Sequence, residues 1–178
     1  MNPIGIIEKY YDPKSELFRI LIIHSSQVRD KALDVIGKHP EFAADAQFVS
    51  EAAMLHDIGI FLTDAPKIKC FGTHAYVEHG YLGANIVRKE GYEKHALVCE
   101  RHTGLGLTVE QIVKQNLPVP HREMVPLSIE EKIICYADKF FSKSNLKKEL
   151  KVKKILKNLK KYDPSHGSLF LEWHEKFK

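Results

Sequence analysis

No apolar run in the 178 residues approaches the roughly 18 that a membrane span needs. The longest candidate, Leu17 to Ile23, is interrupted by Arg19 and ends at His24. The first residues have no charged region followed by an apolar one, so a secretory leader is not expected. Cysteine is scarce: Cys70, Cys99 and Cys135, an odd number with no CxxC spacing. That argues against a disulfide framework and a thiolate zinc site, and favours a reducing cytoplasmic setting. Strand-like alternation and internal repeats are absent as well. What is present, 44% hydrophobic and 28% charged residues, suits one folded globular domain.

Charge is unevenly spread. The net +4 conceals a segment, 139–161, with ten lysines against one glutamate, whereas residues 1–138 carry a net −4. Leu146, Leu150, Ile155, Leu156 and Leu159 form an apolar stripe among those lysines, which predicts an amphipathic helix with a solvated basic face. A lysine run of this kind could also hold nucleic acid through phosphates. It has no interleaved aromatics and no reading motif, so nucleic acid is the less favoured partner.

Helical signals dominate the rest. Asn2-Pro3 and Asp12-Pro13 read as N-caps followed by Pro, the second opening a helix from Lys14 to Lys38 that Ser25-Ser26 is expected to bend or break. Further helices are expected over 45–57, 73–90 (closed by Gly91), 93–102, 129–141 and 169–176. Thr108/Gln111 and Ser128/Glu131 match the capping box. Residues 60–72 and the Pro-rich 118–126 read as loops, and Gly104-x-Gly106 as a turn. The expected architecture is an all-α single-domain helical bundle, with a core at about 20–142 and a lysine-rich helical extension at about 143–178.

Ten histidines make the chemistry worth tracing. His56-Asp57 ends the apolar run Ala52-Ala53-Met54-Leu55. Alone, the pair reads as well structurally, as a helix-end carboxylate beside a cation or a satisfied core histidine, as it does functionally. The neighbourhood adds more: His24 closes the stripe Leu17-Ile20-Leu21-Ile23, and Asp138 sits in Ile133-Ile134-Cys135-Tyr136-Ala137. His79 opens His-Gly-x-x-Gly-Ala, where Gly80 and Gly83 allow close helix approach, and His102 ends the helix carrying Leu97-Val98-Cys99. Buried ionisable groups need partners. Five helices each bringing one to an apolar face share an economical partner in metal. Imidazole and carboxylate donors suit iron, manganese, cobalt, nickel or zinc. Six ligands suffice for two adjacent divalent ions, with the carboxylate beside a histidine able to bridge them. Such a pair favours hydrolysis of a phosphate ester or anhydride.

The order His24, His56-Asp57, Asp138 resembles the H…HD…D signature of the HD-domain metal-dependent phosphohydrolases, and His-Asp-Ile-Gly at 56–59 resembles its HDIG variant. His79 and His102 resemble the additional histidines of the dinuclear branch, which includes HD-GYP cyclic-dinucleotide phosphodiesterases and bacterial diadenosine-tetraphosphate hydrolases. The resemblance implies an all-α bundle. It implies one metal on His24, His56, Asp57 and Asp138, a second on Asp57, His79 and His102, and a bridging hydroxide as nucleophile. It also implies a small anionic phosphate substrate such as a nucleotide.

Two departures stand out. The lysine many members carry shortly after HD is missing, since Ile58-Gly59-Ile60-Phe61 stands there. No GYP follows the later histidine, where Thr103 to Thr108 stands instead. A group of small stand-alone HDIG proteins shares the Gly-Leu-Gly-Leu-Thr segment, the Pro-rich loop and Leu-x-x-Glu-Glu-Lys-Ile.

Arg101, Arg122 and Lys143 are the candidate phosphate-binding cations, and Phe61 and Phe71 the candidate lid residues. His74 is an entrance or surface group, and His39, His95, His121, His166 and His174 are expected at the surface. A regulatory or nucleic-acid-binding protein on a degenerate scaffold is the alternative to an enzyme.

Overall fold

The computed structural model describes residues 1–160 and 163–178. Asn2 Oδ1 accepts from Gly5 N at 3.1 Å and starts α1 (Pro3–Ile7). Asp12-Pro13 forms a turn instead of opening the next helix: Asp12 Oδ1 accepts from Lys14 N, and Ser15 is the cap of α2 (Glu16–Lys38). This helix passes through Ser25-Ser26 unbroken, with Ser25 buried one turn before Val28. Asp45 caps α3 (Ala46–Leu55), which stops two residues short of the expected end. His56 becomes its C-cap and Asp57 leaves helical geometry to start a 3-10 turn over Ile58–Leu62.

The 60–72 region is more ordered than a loop. A two-residue hairpin, β1 (Asp64–Ala65) with antiparallel β2 (Cys70–Phe71), is the sheet found among the described residues. The helix expected from Thr73 begins later, as α4 (His79–Lys89), because Glu78 holds the preceding turn by accepting from Ala75 N at 2.6 Å. α5 (Glu93–Arg101) and α6 (Val109–Lys114) come next, the latter with a complete Thr108/Gln111 capping box. Between them Gly104 and Gly106, with φ of 63° and 98°, make the expected turn.

Ser128 caps α7 (Ile129–Asp138). Here Glu131 does not complete a box but accepts from Leu127 N at 2.9 Å. The predicted amphipathic helix shortens to α8 (Val152–Leu159), since the chain before it is tied to the body of the fold. Leu146 O accepts from Gln27 Nε2, and Leu150 N donates to Phe140 O. Lys161, the last of the basic segment, lies outside the described residues. α9 (Pro164–Phe177) is longer than expected because Asp163-Pro164 caps it early.

Two apolar clusters flank α2. One joins α2, α3 and α7 to Phe170, Trp173 and Phe177 of α9, so the C-terminal extension completes the main core. The other joins α1, α2, α4 and α5 with Ile58 and Ile60. Gly59 and Gly83 bring backbone against backbone. A Cβ on Gly59 would lie 2.3 Å from His79 O and 2.5 Å from Gly83 N. Gly80 does the same for α5, where its Cβ would meet Cys99 O at 2.8 Å. No helix among the described residues is long and apolar enough to cross a membrane.

Candidate metal centre

All six sequence candidates meet in one buried cluster. His24, His56 and Asp57 are fully inaccessible, and Asp138, at 9%, is the most exposed, which puts the opening on its side. His24, His56, Asp57 and Asp138 form one set of converging donor atoms, and Asp57, His79 and His102 form a second. Asp57 is common to both. Its Oδ2 lies 3.0 Å from Nε2 of His24 and of His56, and its Oδ1 lies 3.3 and 3.4 Å from Nε2 of His79 and His102.

Local structure explains how the imidazoles are aimed. His56 and His102 are the C-caps of α3 and α5, and His79 follows the 3-10 turn Tyr76–Glu78. At the ends of α3 and α5 backbone carbonyls lack a helical partner, whereas Tyr76 O also accepts from His79 N. Each ring takes the carbonyl three residues back: His56 Nδ1 donates to Ala53 O at 2.6 Å, His79 to Tyr76 O at 2.6 Å, and His102 to Cys99 O at 2.7 Å. Donation from Nδ1 turns each Nε2 toward the cluster, the nitrogen that a ligating histidine presents to metal once it carries no proton.

The residues fit metal on grounds of their own. His79 Nε2 and His102 Nε2 stand 3.0 Å apart. With both Nδ1 atoms donating elsewhere, two lone pairs face each other, which a shared cation relieves. Nε2 of His24 and His56 and Oδ1 of Asp57 are buried with no hydrogen-bond partner, while Oδ2 of Asp57 meets only the Lys143 ammonium as a compensating cation. They are close to one another without hydrogen-bond geometry, so they point at a common centre. Unsatisfied buried groups are costly unless something else is bound there.

The cluster's own charges partly compensate. Burial works against a charge on His56, but Asp57 and Asp138 outweigh it and raise its pKa to about 9. Burial, opposed by Asp57 and reinforced by His102, pushes His79 down to about 3. Burial would raise the Asp57 carboxyl, yet His56 and Lys143 hold it well below the usual carboxylate range.

Of the three cations singled out in the sequence, one reaches the cluster. Lys143 Nζ lies 2.5 Å from Asp57 Oδ2. Arg101 is taken by Glu131, with Nη1 at 3.0 Å from both carboxylate oxygens. Arg122 pairs with the buried Glu100, which Arg88 also contacts, and so ties the Pro-rich loop to α5. Neither arginine is brought to the cluster.

Two further residues border the cluster. Lys139 Nζ sits 2.6 Å from Asp138 Oδ2 and donates to His102 O. Tyr76 stacks on His79 at 4.7 Å between ring centroids. Its position three residues before a histidine was the available signal. Ile60, where the missing lysine would stand, is fully buried and apolar.

Phe61 packs edge-on against Tyr11, while Phe71 is exposed. His74 contacts Glu78. His121 is exposed, but His166 is not the surface residue expected. It is 5% accessible, because the early start of α9 presses its ring onto Gly104. His95 is partly covered beside Glu51 and Phe48, His174 bonds Tyr136 Oη, and His39 stacks on Phe42. A surface depression of about 550 Å³ beside Phe18, Arg19 and Ile22 lies on the outer face of α2 and holds none of these groups.

Residues 21–142 match the family model of the HD domain. The chain belongs to the HD-domain family. Over 136 residues it is 35% identical to an uncharacterised protein of Methanocaldococcus jannaschii, covering 75% of this chain and 73% of that one. It is 32% identical over 142 residues to a tRNA (cytidine(56)-2'-O)-methyltransferase of Thermoplasma volcanium, covering 79% of this HD protein but 36% of the methyltransferase. A Picrophilus torridus protein of the same name is 36% identical over 99 residues, covering 55% of this chain and 25% of that one. The chain thus spans about a third or less of either methyltransferase. No solved structure matches it.

Proposed function

We propose that this HD protein is a divalent-metal-dependent phosphohydrolase acting on a phosphate ester or anhydride of a nucleotide or another small phosphorylated metabolite. The observation that carries the reading is the single carboxylate, Asp57, shared by two sets of inward-facing imidazole nitrogens. His24, His56, Asp57 and Asp138 would hold one ion, and Asp57, His79 and His102 the other. Two such ions, when bound, lower the pKa of water and neutralise phosphate charge. The chain's own part is to orient the ligands through the three Nδ1–carbonyl bonds and to keep bulk water from the cluster. Lys139 holds Asp138 in place. The three cysteines are buried and unpaired, in keeping with a cytoplasmic setting.

The test is metal analysis of chelator-free protein, followed by a panel of nucleotides and phosphodiesters offered to protein reconstituted with manganese, iron, cobalt, nickel or zinc. Close to two ions per chain and metal-dependent phosphate release are expected. Less than one ion per chain with no turnover after reconstitution defeats the reading.

A second reading is nucleic-acid binding. Lys147, Lys148, Lys151, Lys153, Lys154, Lys157 and Lys160 are exposed, and none makes an ion pair among the described residues. Two relatives are named tRNA methyltransferases. Under this reading, tRNA binding weakens with salt by about 0.7 to 0.9 log units per log unit of salt for each phosphate contacted. It is lost on changing Lys153, Lys154 and Lys157 to glutamate and survives His56→Ala. Anisotropy titrations between low and high salt decide it. Equal binding by the triple variant removes this reading.

A further inference from the structure

Lys143 is delivered to the cluster by the irregular segment after α7, not by any of the ligand-bearing helices. Its side chain is 10% exposed, and its ammonium lies 2.5 Å from Asp57 Oδ2 and 5.9 Å from the centroid of Tyr76. Tyr76 in turn covers His79 and is 37% exposed, so the lysine stands between the shared carboxylate and the opening. A buried ammonium needs a compensating anion. The carboxylates that influence Lys143 are Asp57 and Asp138, both members of the ligand sets. Asp57 Oδ2 is moreover the oxygen that faces Nε2 of His24 and His56 at 3.0 Å. A dication seated among those atoms and an ammonium 2.5 Å from the same oxygen repel strongly, because little water screens them.

We propose that Lys143 is a metal-displaced phosphate ligand: its ammonium neutralises Asp57 while the cluster is empty and, once metal is bound there, turns toward Tyr76 and pairs with an oxygen of the incoming phosphate. The second half rests on the hydrolase reading. The first half, competition with metal, does not. The side chain is suited to the change, since four rotatable bonds let the charged head relocate while the stem stays packed. With Asp57 and Asp138 committed to metal, the next anion within reach is the one that enters past Tyr76. This also supplies the cation that Ile60 cannot.

The experiment is calorimetric titration of chelated protein with Mn²⁺, then of the loaded protein with inorganic phosphate, for wild type, Lys143→Met, Lys143→Gln and Lys143→Arg. Removing the charge should tighten metal binding and weaken phosphate binding, each by about tenfold, the size of one charge-assisted contact. Lys143→Arg should restore both. Should Lys143→Met fail to fold without metal, Lys143→Gln carries the comparison. Unchanged metal affinity, or unchanged phosphate affinity, in the neutral variants overturns the proposal even if the protein hydrolyses nucleotides. Lys143-dependent binding of metal and phosphate without turnover of any ester supports it and defeats the hydrolase reading instead.

Discussion

Asp57→Ala is expected to empty both metal sites at once and to abolish hydrolysis while the far-UV circular dichroism remains helical. One carboxylate faces both ligand sets, Oδ2 toward His24 and His56 and Oδ1 toward His79 and His102. No other carboxylate among the described residues belongs to both sets. Paired metals contribute several kcal/mol to transition-state stabilisation, and each ~1.4 kcal/mol is a decade in rate. The loss should therefore be about a thousandfold or more. His79→Ala touches the second set alone and should leave one ion per chain. Metal content by mass spectrometry, with the dichroism as folding control, distinguishes the two variants. An Asp57→Ala protein that keeps two ions or its turnover would place the active centre elsewhere.

Gly59→Ala should be strongly destabilising, by about 3 kcal/mol. The new Cβ would meet His79 O at 2.3 Å and Gly83 N at 2.5 Å, and both are backbone atoms with no side chain to swing away. The 3-10 turn after Asp57 would have to separate from the first turn of α4. That separation moves Asp57 relative to His79, so the second metal should be lost before the first. Gly37→Ala is the control. It sits in α2, where an added methyl would find nothing within 4 Å, and should be neutral or stabilising by about 0.4–1 kcal/mol. Thermal unfolding of the two variants in excess metal measures both effects. Equal melting temperatures would refute the account of the packing between Gly59 and Gly83.

The helical bundle and the six converging donors were legible because both are written in short-range code. Apolar spacing of three and four residues marks buried helix faces, and an imidazole or carboxylate placed on such a face has few stable fates other than a shared cation. His24 and Asp138 were readable on that ground although 114 positions apart. Capping chemistry was readable in part. Asp12-Pro13 and Asp163-Pro164 are the same dipeptide, yet one makes a turn before the Ser15 cap and the other starts α9 directly. The difference is Ser15 itself, whose hydroxyl accepts from Phe18 N and so offers the chain a second cap just past Pro13.

The sequence alone determined the fold class, the six donors and the place of HDIG, since residue type, order and periodicity suffice for those. Tertiary structure alone decided which cation meets Asp57. Arg101, Arg122 and Lys143 are equivalent on paper, but Glu131 and Glu100 claim the arginines and only the segment after α7 carries its lysine inward. It also decided that His166 is buried and that three rings present Nε2 in place of Nδ1. Long side chains select partners by distance in space, and a linear chain does not encode that distance locally.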